Sequence, residues 1–168
     1  FIGQADIKNR FYQCGVPTEC AEFFAFDEVS RDFTCQLGAM TDIHVEPLEA
    51  GTPYYPVLTV LPMGWSWSFY LVPELHEQLL KRPGFDKTRC VVSNWPSPDL
   101  GEGPVALPYC DNLTVVGISK QDVDFQLSQL ISLFSEAGFE LHDIEWGTTS
   151  STALGISFQG RRPCVRPK

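Results

Sequence analysis

The chain has 168 residues, 43% of them hydrophobic, and a formal net charge of −9. That suffices for one compact domain with a core of its own and not for two, and the acidic balance argues against extensive nucleic-acid binding by this segment alone, because phosphate contacts draw on Lys and Arg. No stretch approaches the roughly twenty apolar residues that cross a bilayer, and no basic region precedes an apolar run at the N-terminus, so a soluble chain with no membrane partner is expected, and the scattered cysteines favour an intracellular location.

In chain order, a strand-like, apolar-leaning segment ends at Asp6-Ile7, and Asn9-Arg10-Phe11-Tyr12-Gln13 then predicts a turn and a short helix. Because the chain opens on Phe1, directly before this segment, it reads as a piece of something longer. The aromatic run 23–26 and the β-rich stretch 54–61, ended by Pro62, predict strands. Between them Gly38, Pro47, Gly51 and Pro53 predict irregular chain, with weak strand potential at 43–45. Over 65–80, Trp67, Tyr70, Leu71, Leu75 and Leu79 recur at three-to-four spacing and predict a helix that Pro73 should bend or break.

Pro96, Pro98, Gly101, Gly103 and Pro104 make 94–104 a loop. The β-type runs 105–110 and 113–118 flank Asp111-Asn112, a hairpin signature with an acidic tip. Ser119 with Asp122 three residues on resembles a capping box, and Val123, Leu127, Leu130, Ile131 and Phe134 mark the helix it opens, with Gly138 to close it. Segments 139–141 and 153–158 predict further strands. Strands interleaved with two helices and a central hairpin predict an α+β fold, an antiparallel sheet with helices packed on one face, as in a ferredoxin-like core.

The six cysteines (Cys14, Cys20, Cys35, Cys90, Cys110, Cys164) include no C-x-x-C pair and no His at zinc-finger spacing, so structural zinc is not expected. Reduced thiols fit this pattern. The competing reading is a secreted, disulfide-bonded glycoprotein, with Asn112-Leu113-Thr114 as its glycan site. Arg161, Arg162, Arg166 and Lys168 form a basic cluster that reads as a solvated tail over 161–168.

Asp6 at the end of an apolar run and Asp111 at a hairpin tip are carboxylates at strand ends, the sparse hard-oxygen set that suits Mg²⁺ or Mn²⁺. Their contexts, in order, carry a resemblance. Ala5-Asp6-Ile7-Lys8-Asn9-Arg10-Phe11-Tyr12 resembles motif A of reverse transcriptases, an aspartate followed five positions later by an aromatic. Leu61-Pro62-Met63-Gly64-Trp65-Ser66-Trp67-Ser68 resembles motif B, Tyr109-Cys110-Asp111-Asn112 resembles the Tyr-x-Asp-Asp hairpin of motif C, and Ala137-Gly138-Phe139 with Leu154-Gly155 resembles motifs D and E.

The resemblance covers nearly the whole chain. It implies a polymerase palm with part of the fingers over 1–168, cut from the longer polyprotein of a retroelement such as a retrotransposon. The implied activity is RNA-directed DNA polymerisation, a nucleotidyltransferase reaction on two metal ions, Mg²⁺ or Mn²⁺. The implied partners are a nucleic-acid template-primer, a dNTP, and the fingers, thumb and RNase H or integrase regions of the same polyprotein. Carried over by residue, Asp6 and Asp111 are catalytic metal ligands with Asn112 beside them. Phe11 gates the ribose 2′-hydroxyl, and Gly64, Ser68 and Tyr109 lie at the nucleotide. Departures are Asn112 for the second motif C aspartate, Met63 for glutamine, Phe69 for proline, and His142-Asp143-Ile144-Glu145 where a lysine is expected. Asn112 offers a carbonyl oxygen without charge, so metal affinity should drop while the site keeps its shape. His142 is the candidate to replace the absent lysine as general acid. The alternative function is a catalytically degenerate palm relic that serves as a binding or interaction scaffold.

Overall fold

The computed structural model describes residues 1–30, 32–33, 49, 51–82, 87–91, 96–153, 155–160 and 166–167. The expectation at 43–45, Cys35, Cys164, Leu154 and most of the 161–168 tail lie outside the described residues.

Strands β1 (Ile2–Ile7), β2 (Val105–Tyr109), β3 (Asn112–Val116) and β4 (Leu141–Thr148) form one sheet in the order β2-β3-β1-β4, with every neighbouring pair antiparallel. After a single helical turn, α1 (Thr18–Ala21), two long helices follow: α2 (Ser66–Leu80) precedes β2, and α3 (Lys120–Glu136) joins β3 to β4. The resulting β-α-β-β-α-β succession is the ferredoxin-like arrangement anticipated from the sequence.

Side chains alternate across a strand, and this sorts β1 into two faces. Gly3, Ala5 and Ile7 face the helices: a Cβ on Gly3 would stand 3.1 Å from both Val123 and Leu127 of α3. Ala5, Ile7, Ala106, Leu113 and Val115 are buried there against Val72, Leu79 and Leu80 of α2 and Val123, Leu127, Leu130 and Phe134 of α3. Each such aliphatic side chain contributes about 1.5–3 kcal/mol of transfer free energy. Gln4 and Asp6 point to the opposite face, away from α2 and α3.

Helix α3 begins and ends as the sequence predicts. Ser119 Oγ accepts a hydrogen bond from the Asp122 amide at 3.3 Å. At the other end Gly138 (φ 91°) lets its own amide reach Ser135 O, and the Phe139 amide reach Phe134 O at 2.9 Å. These two bonds make a Schellman motif, closed by the Phe134–Phe139 ring contact at 5.9 Å. Helix α2 runs through Pro73 without a break, which leaves a bend as the form the proline's effect could take. Proline forfeits one backbone hydrogen bond, but Val72 and His76 are fully buried on either side of it and hold the helix against the core.

Two expectations are corrected. Residues 23–26 form a 3₁₀ turn (Glu22–Phe24) in place of a strand, and 54–61 makes only isolated bridges, among them Ala25 with Val57 and Gly15 with Val60. Pro53, Pro56 and Pro62 remove ladder donors through that stretch, which explains why no continuous strand forms. The span 153–158 is divided between β5 (Ser150–Ala153) and β6 (Ile156–Gln159), which with β7 (Arg166–Pro167) make a second, three-stranded sheet. Gly155 sits between them at φ 73°. Among the described residues no helix is long and apolar enough to cross a membrane, and Cys14, Cys20 and Cys110 are thiols outside any disulfide.

Candidate active site

Asp6 occupies the middle of a cross-strand row on the face turned away from α2 and α3. Its partner on β3 is Asn112, whose own partner on β2 is Tyr109, and its partner on β4 is His142. Tyr109 and Asn112 are joined by a two-residue turn, Cys110-Asp111, with φ 47° at Cys110. A positive φ at the first central position gives the twist that a tight hairpin needs, at a cost of roughly 1–2 kcal/mol for a residue with a Cβ. Asp111 O accepts the Ile7 amide at 2.8 Å, so the hairpin tip is tied to the end of β1. The chain thus brings Asp111 beside Asp6 across 105 residues of sequence (111 − 6).

The two carboxylates feel each other. Burial, then the negative charge of Asp111, raise the Asp6 pKa above its ordinary value, and His142 and the Ile7 amide only partly oppose this. Asp6 Oδ1 is buried and has no hydrogen-bond partner. Asp111 Oδ1 accepts from Asn112 Nδ2 at 2.9 Å. A pair of repelling carboxylates, one with an unfilled lone pair, fits a hard divalent cation, because the ion relieves both defects at once.

On the other side of Asp6, β4 departs from regular pairing twice, between Ile2/Gln4 and between Gln4/Asp6, and Asp143 adopts φ 48°. Such irregularities re-aim side chains. Here His142 Nε2 lies 3.5 Å from Asp6 Oδ2 and Nδ1 lies 2.9 Å from Asp143 Oδ2. Ligand atoms of Asp6, His142 and Asp143 all fall within 4.8 Å of one another, a grouping that does not include Asp111. Next along the face, Gln4 Nε2 donates to Glu145 Oε2 at 2.9 Å and Ser151 Oγ at 3.2 Å, which fastens β5 to the sheet.

The remaining residues named from sequence are dispersed. Tyr109 is exposed beside Asn112. Phe11 is buried, 7% exposed, with its ring edge-on to Phe69 at 5.1 Å. Gly64 holds φ 95° in a turn closed by the Trp65 amide on Pro62 O at 3.3 Å. Ser68 is fully buried, and its Oγ donates to the same Pro62 carbonyl at 2.8 Å. Its hydroxyl is therefore committed to the turn.

Sequence reasoning missed a buried polar cluster under this site. Arg10 Nε donates to His76 Nε2 at 3.1 Å, its Nη1 to Cys14 Sγ at 2.9 Å, and the guanidinium covers the Phe139 ring at 4.1 Å. Burial, then the nearby Arg10 charge, drive the His76 pKa down to about 3. The only signal was His76 falling four residues after Val72 on the inward face of α2; nothing marked Arg10.

No protein-family profile matches the sequence, and no curated protein does. Solved structures do match. The foamy viral protease-reverse transcriptase in complex with RNA/DNA hybrid aligns with 95% of this chain at TM-score 0.60 and 16% identity. A prototype foamy virus protease-reverse transcriptase CSH mutant aligns with 95% at 0.59 and 19% identity, and the foamy viral enzyme with dsDNA aligns with 95% at 0.58 and 17%. The chain spans 16%, 16% and 25% of those three chains, respectively. By its fold, then, this chain is similar to a reverse transcriptase, and its mixed antiparallel sheet and helices are similar to the palm region.

Proposed function

We propose that the chain is the palm, with part of the fingers, of a reverse transcriptase-like domain that carries out template-directed nucleotidyl transfer (RNA-directed DNA polymerisation) within a longer retroelement polyprotein. The feature that supports this reading most is the hairpin tip tied to the end of β1, which sets the Asp111 charge near Asp6, whose Oδ1 is buried without a partner. Asp6, Asp111 and the side-chain carbonyl of Asn112 would hold Mg²⁺ or Mn²⁺. When bound, such an ion neutralises phosphoryl oxygens and favours ionisation of an attacking hydroxyl.

The chain's own residues supply the rest. Asp6 and Asp111 keep negative charge at the strand ends, and the exposed Tyr109 ring beside Asn112 offers a surface to a nucleotide. The Gly64 turn, held by Ser68, shapes the approach to the cleft. Phe11, supported by Phe69, is the proposed ribose gate. A template-primer and a dNTP are the ligands, with basic grip supplied by other regions of the polyprotein. Alone, at net charge −9, the chain should extend primers poorly.

A second reading, a degenerate palm that serves as a scaffold, is favoured by Asn112, whose amide donates to Asp111 and brings no charge to the turn. Calorimetric titration with Mg²⁺ separates the two. Binding that both Asp6→Asn and Asp111→Asn abolish supports the polymerase reading, whereas no binding by the unaltered chain supports the scaffold.

A further inference from the structure

Asp6 has neighbours on both sides, and the two sides differ in what they can donate to an ion. The β3 side has Asn112 in place of a carboxylate. The β4 side has His142 and Asp143, brought opposite Asp6 by an irregular strand. We infer that the cation centre is completed from β4, with His142 Nε2 as a nitrogen ligand beside Asp6 and Asp143 as the residue that orients the imidazole, giving a mixed nitrogen and oxygen set that selects Mn²⁺ over Mg²⁺. This rests on the assignment of Asp6 as a cation ligand made above.

Two distances and one unpartnered atom carry the argument. The 3.5 Å between His142 Nε2 and Asp6 Oδ2 is long for a hydrogen bond. It does match two donors on one ion, which at about 2.1 Å each stand roughly 3.0–3.5 Å apart in octahedral or tetrahedral arrangements. The 2.9 Å from His142 Nδ1 to Asp143 Oδ2 is a good hydrogen bond, and it places the ring proton on Nδ1, so the Nε2 lone pair faces Asp6. Asp6 Oδ1 is buried without a hydrogen-bond partner, a defect that a cation on the same carboxylate offsets. Mg²⁺ demands oxygen ligands and keeps its waters, while first-row transition ions accept imidazole.

The test uses the chain at about pH 8. Mn²⁺ and Mg²⁺ are titrated separately by calorimetry, and the Mn²⁺ form is examined by electron spin-echo spectroscopy for coupling to ¹⁴N. Coupling is expected in the unaltered chain and absent in His142→Ala, with Mn²⁺ affinity falling about 10- to 100-fold and Mg²⁺ affinity changing less than about threefold. His142→Gln, close in size, should lose the coupling and retain Mg²⁺ binding. Asp143→Asn should keep the coupling and weaken Mn²⁺ about tenfold. Absence of ¹⁴N coupling in the unaltered chain, or unchanged Mn²⁺ affinity in His142→Ala, overturns the inference. If Asp111→Asn abolishes binding while His142→Ala does not, the inference fails and the two-aspartate reading stands; the reverse pattern sustains the inference and removes Asp111 from the centre.

Discussion

Asp6 and His142 oppose each other on adjacent strands, with Oδ2 and Nε2 3.5 Å apart, while Oδ1 of the same carboxylate is buried and unpartnered. The carboxylate is thus held in a place that disfavours its charge, and burial and Asp111 together raise its pKa. A carboxyl whose pKa is higher folded than unfolded makes the fold less stable as pH rises through the window between the two values. At neutral pH, Asp6→Asn should therefore raise the melting temperature of the metal-free chain, by about 1–3 °C. A gain that disappears near pH 3, where Asp6 is protonated in either state, identifies this cause; a loss at neutral pH means that Asp6 is better satisfied than its surroundings indicate.

His76 has the opposite sign. Its folded pKa is about 3 against an ordinary 6.5, so the unfolded chain takes up a proton that the folded chain refuses between those values. Stability is complete above the unfolded pKa and falls as pH drops through this window, by about 1.4 kcal/mol per pH unit at its steepest. Urea denaturation from pH 7 to 4 measures the slope. His76→Gln, which keeps an acceptor for Arg10 Nε, should flatten it.

Ser68 was expected at the nucleotide, yet its hydroxyl holds Pro62 O at 2.8 Å inside the protein. Ser68→Ala leaves that carbonyl short of a donor and should cost about 1–2 kcal/mol of stability. Gly64→Ala in the same turn should cost about 1 kcal/mol through its φ of 95°, since no atom lies within 4 Å of the added methyl. Chemical denaturation of both variants checks this; a Ser68→Ala chain of unchanged stability would free the hydroxyl for another role.

Much of the fold was legible because local signals and global packing agree. Two β-type runs around an acidic tip gave the hairpin, although its turn is Cys110-Asp111, one residue earlier than expected, with Asn112 already on β3; Ser119 and Gly138 marked both ends of α3. The placement of His142 opposite Asp6 was not legible, because it depends on two irregularities in β4 and a left-handed Asp143, and a shift of one residue in a strand sends a side chain to the other face. Arg10 was illegible for another reason. A charged residue two positions from a turn reads as surface, and only the folded core shows His76, Cys14 and Phe139 around it.

Phe11 combines a proposed role at the sugar with a place in the core. Phe11→Ala should cost about 3–5 kcal/mol, as expected for a buried ring. Phe11→Leu, closer in volume, should cost less and is the better probe in a polymerising form of the protein that carries the flanking regions. Looser discrimination against ribonucleotides in that variant supports the gate; unchanged discrimination leaves Phe11 as a packing residue.

Asn112→Asp places a second carboxylate beside Asp111, as in the Tyr-x-Asp-Asp pattern that 109–112 resembles. Asn112 Nδ2 now donates to Asp111 Oδ1 at 2.9 Å, and the substitution exchanges that hydrogen bond for repulsion between adjacent carboxylates, with Asp6 paired directly across on β1. Without a cation the variant should be less stable, by about 1 kcal/mol or more. With one, the added charge should attract the ion by several kcal/mol at an effective dielectric near 20, from which desolvation and carboxylate repulsion subtract, leaving roughly a tenfold gain in affinity. Melting curves with and without Mg²⁺ test both halves together: the variant should melt below the unaltered chain when metal-free, and the difference should shrink or reverse as the ion is added. The gain should be larger for Mg²⁺ than for Mn²⁺, since the new ligand is an oxygen and the nitrogen of His142 is untouched. A variant destabilised equally at every Mg²⁺ concentration would mean that the Cys110-Asp111 turn does not contribute to a metal centre, and that Asn112, at the start of β3, serves to brace that turn through its hydrogen bond to Asp111.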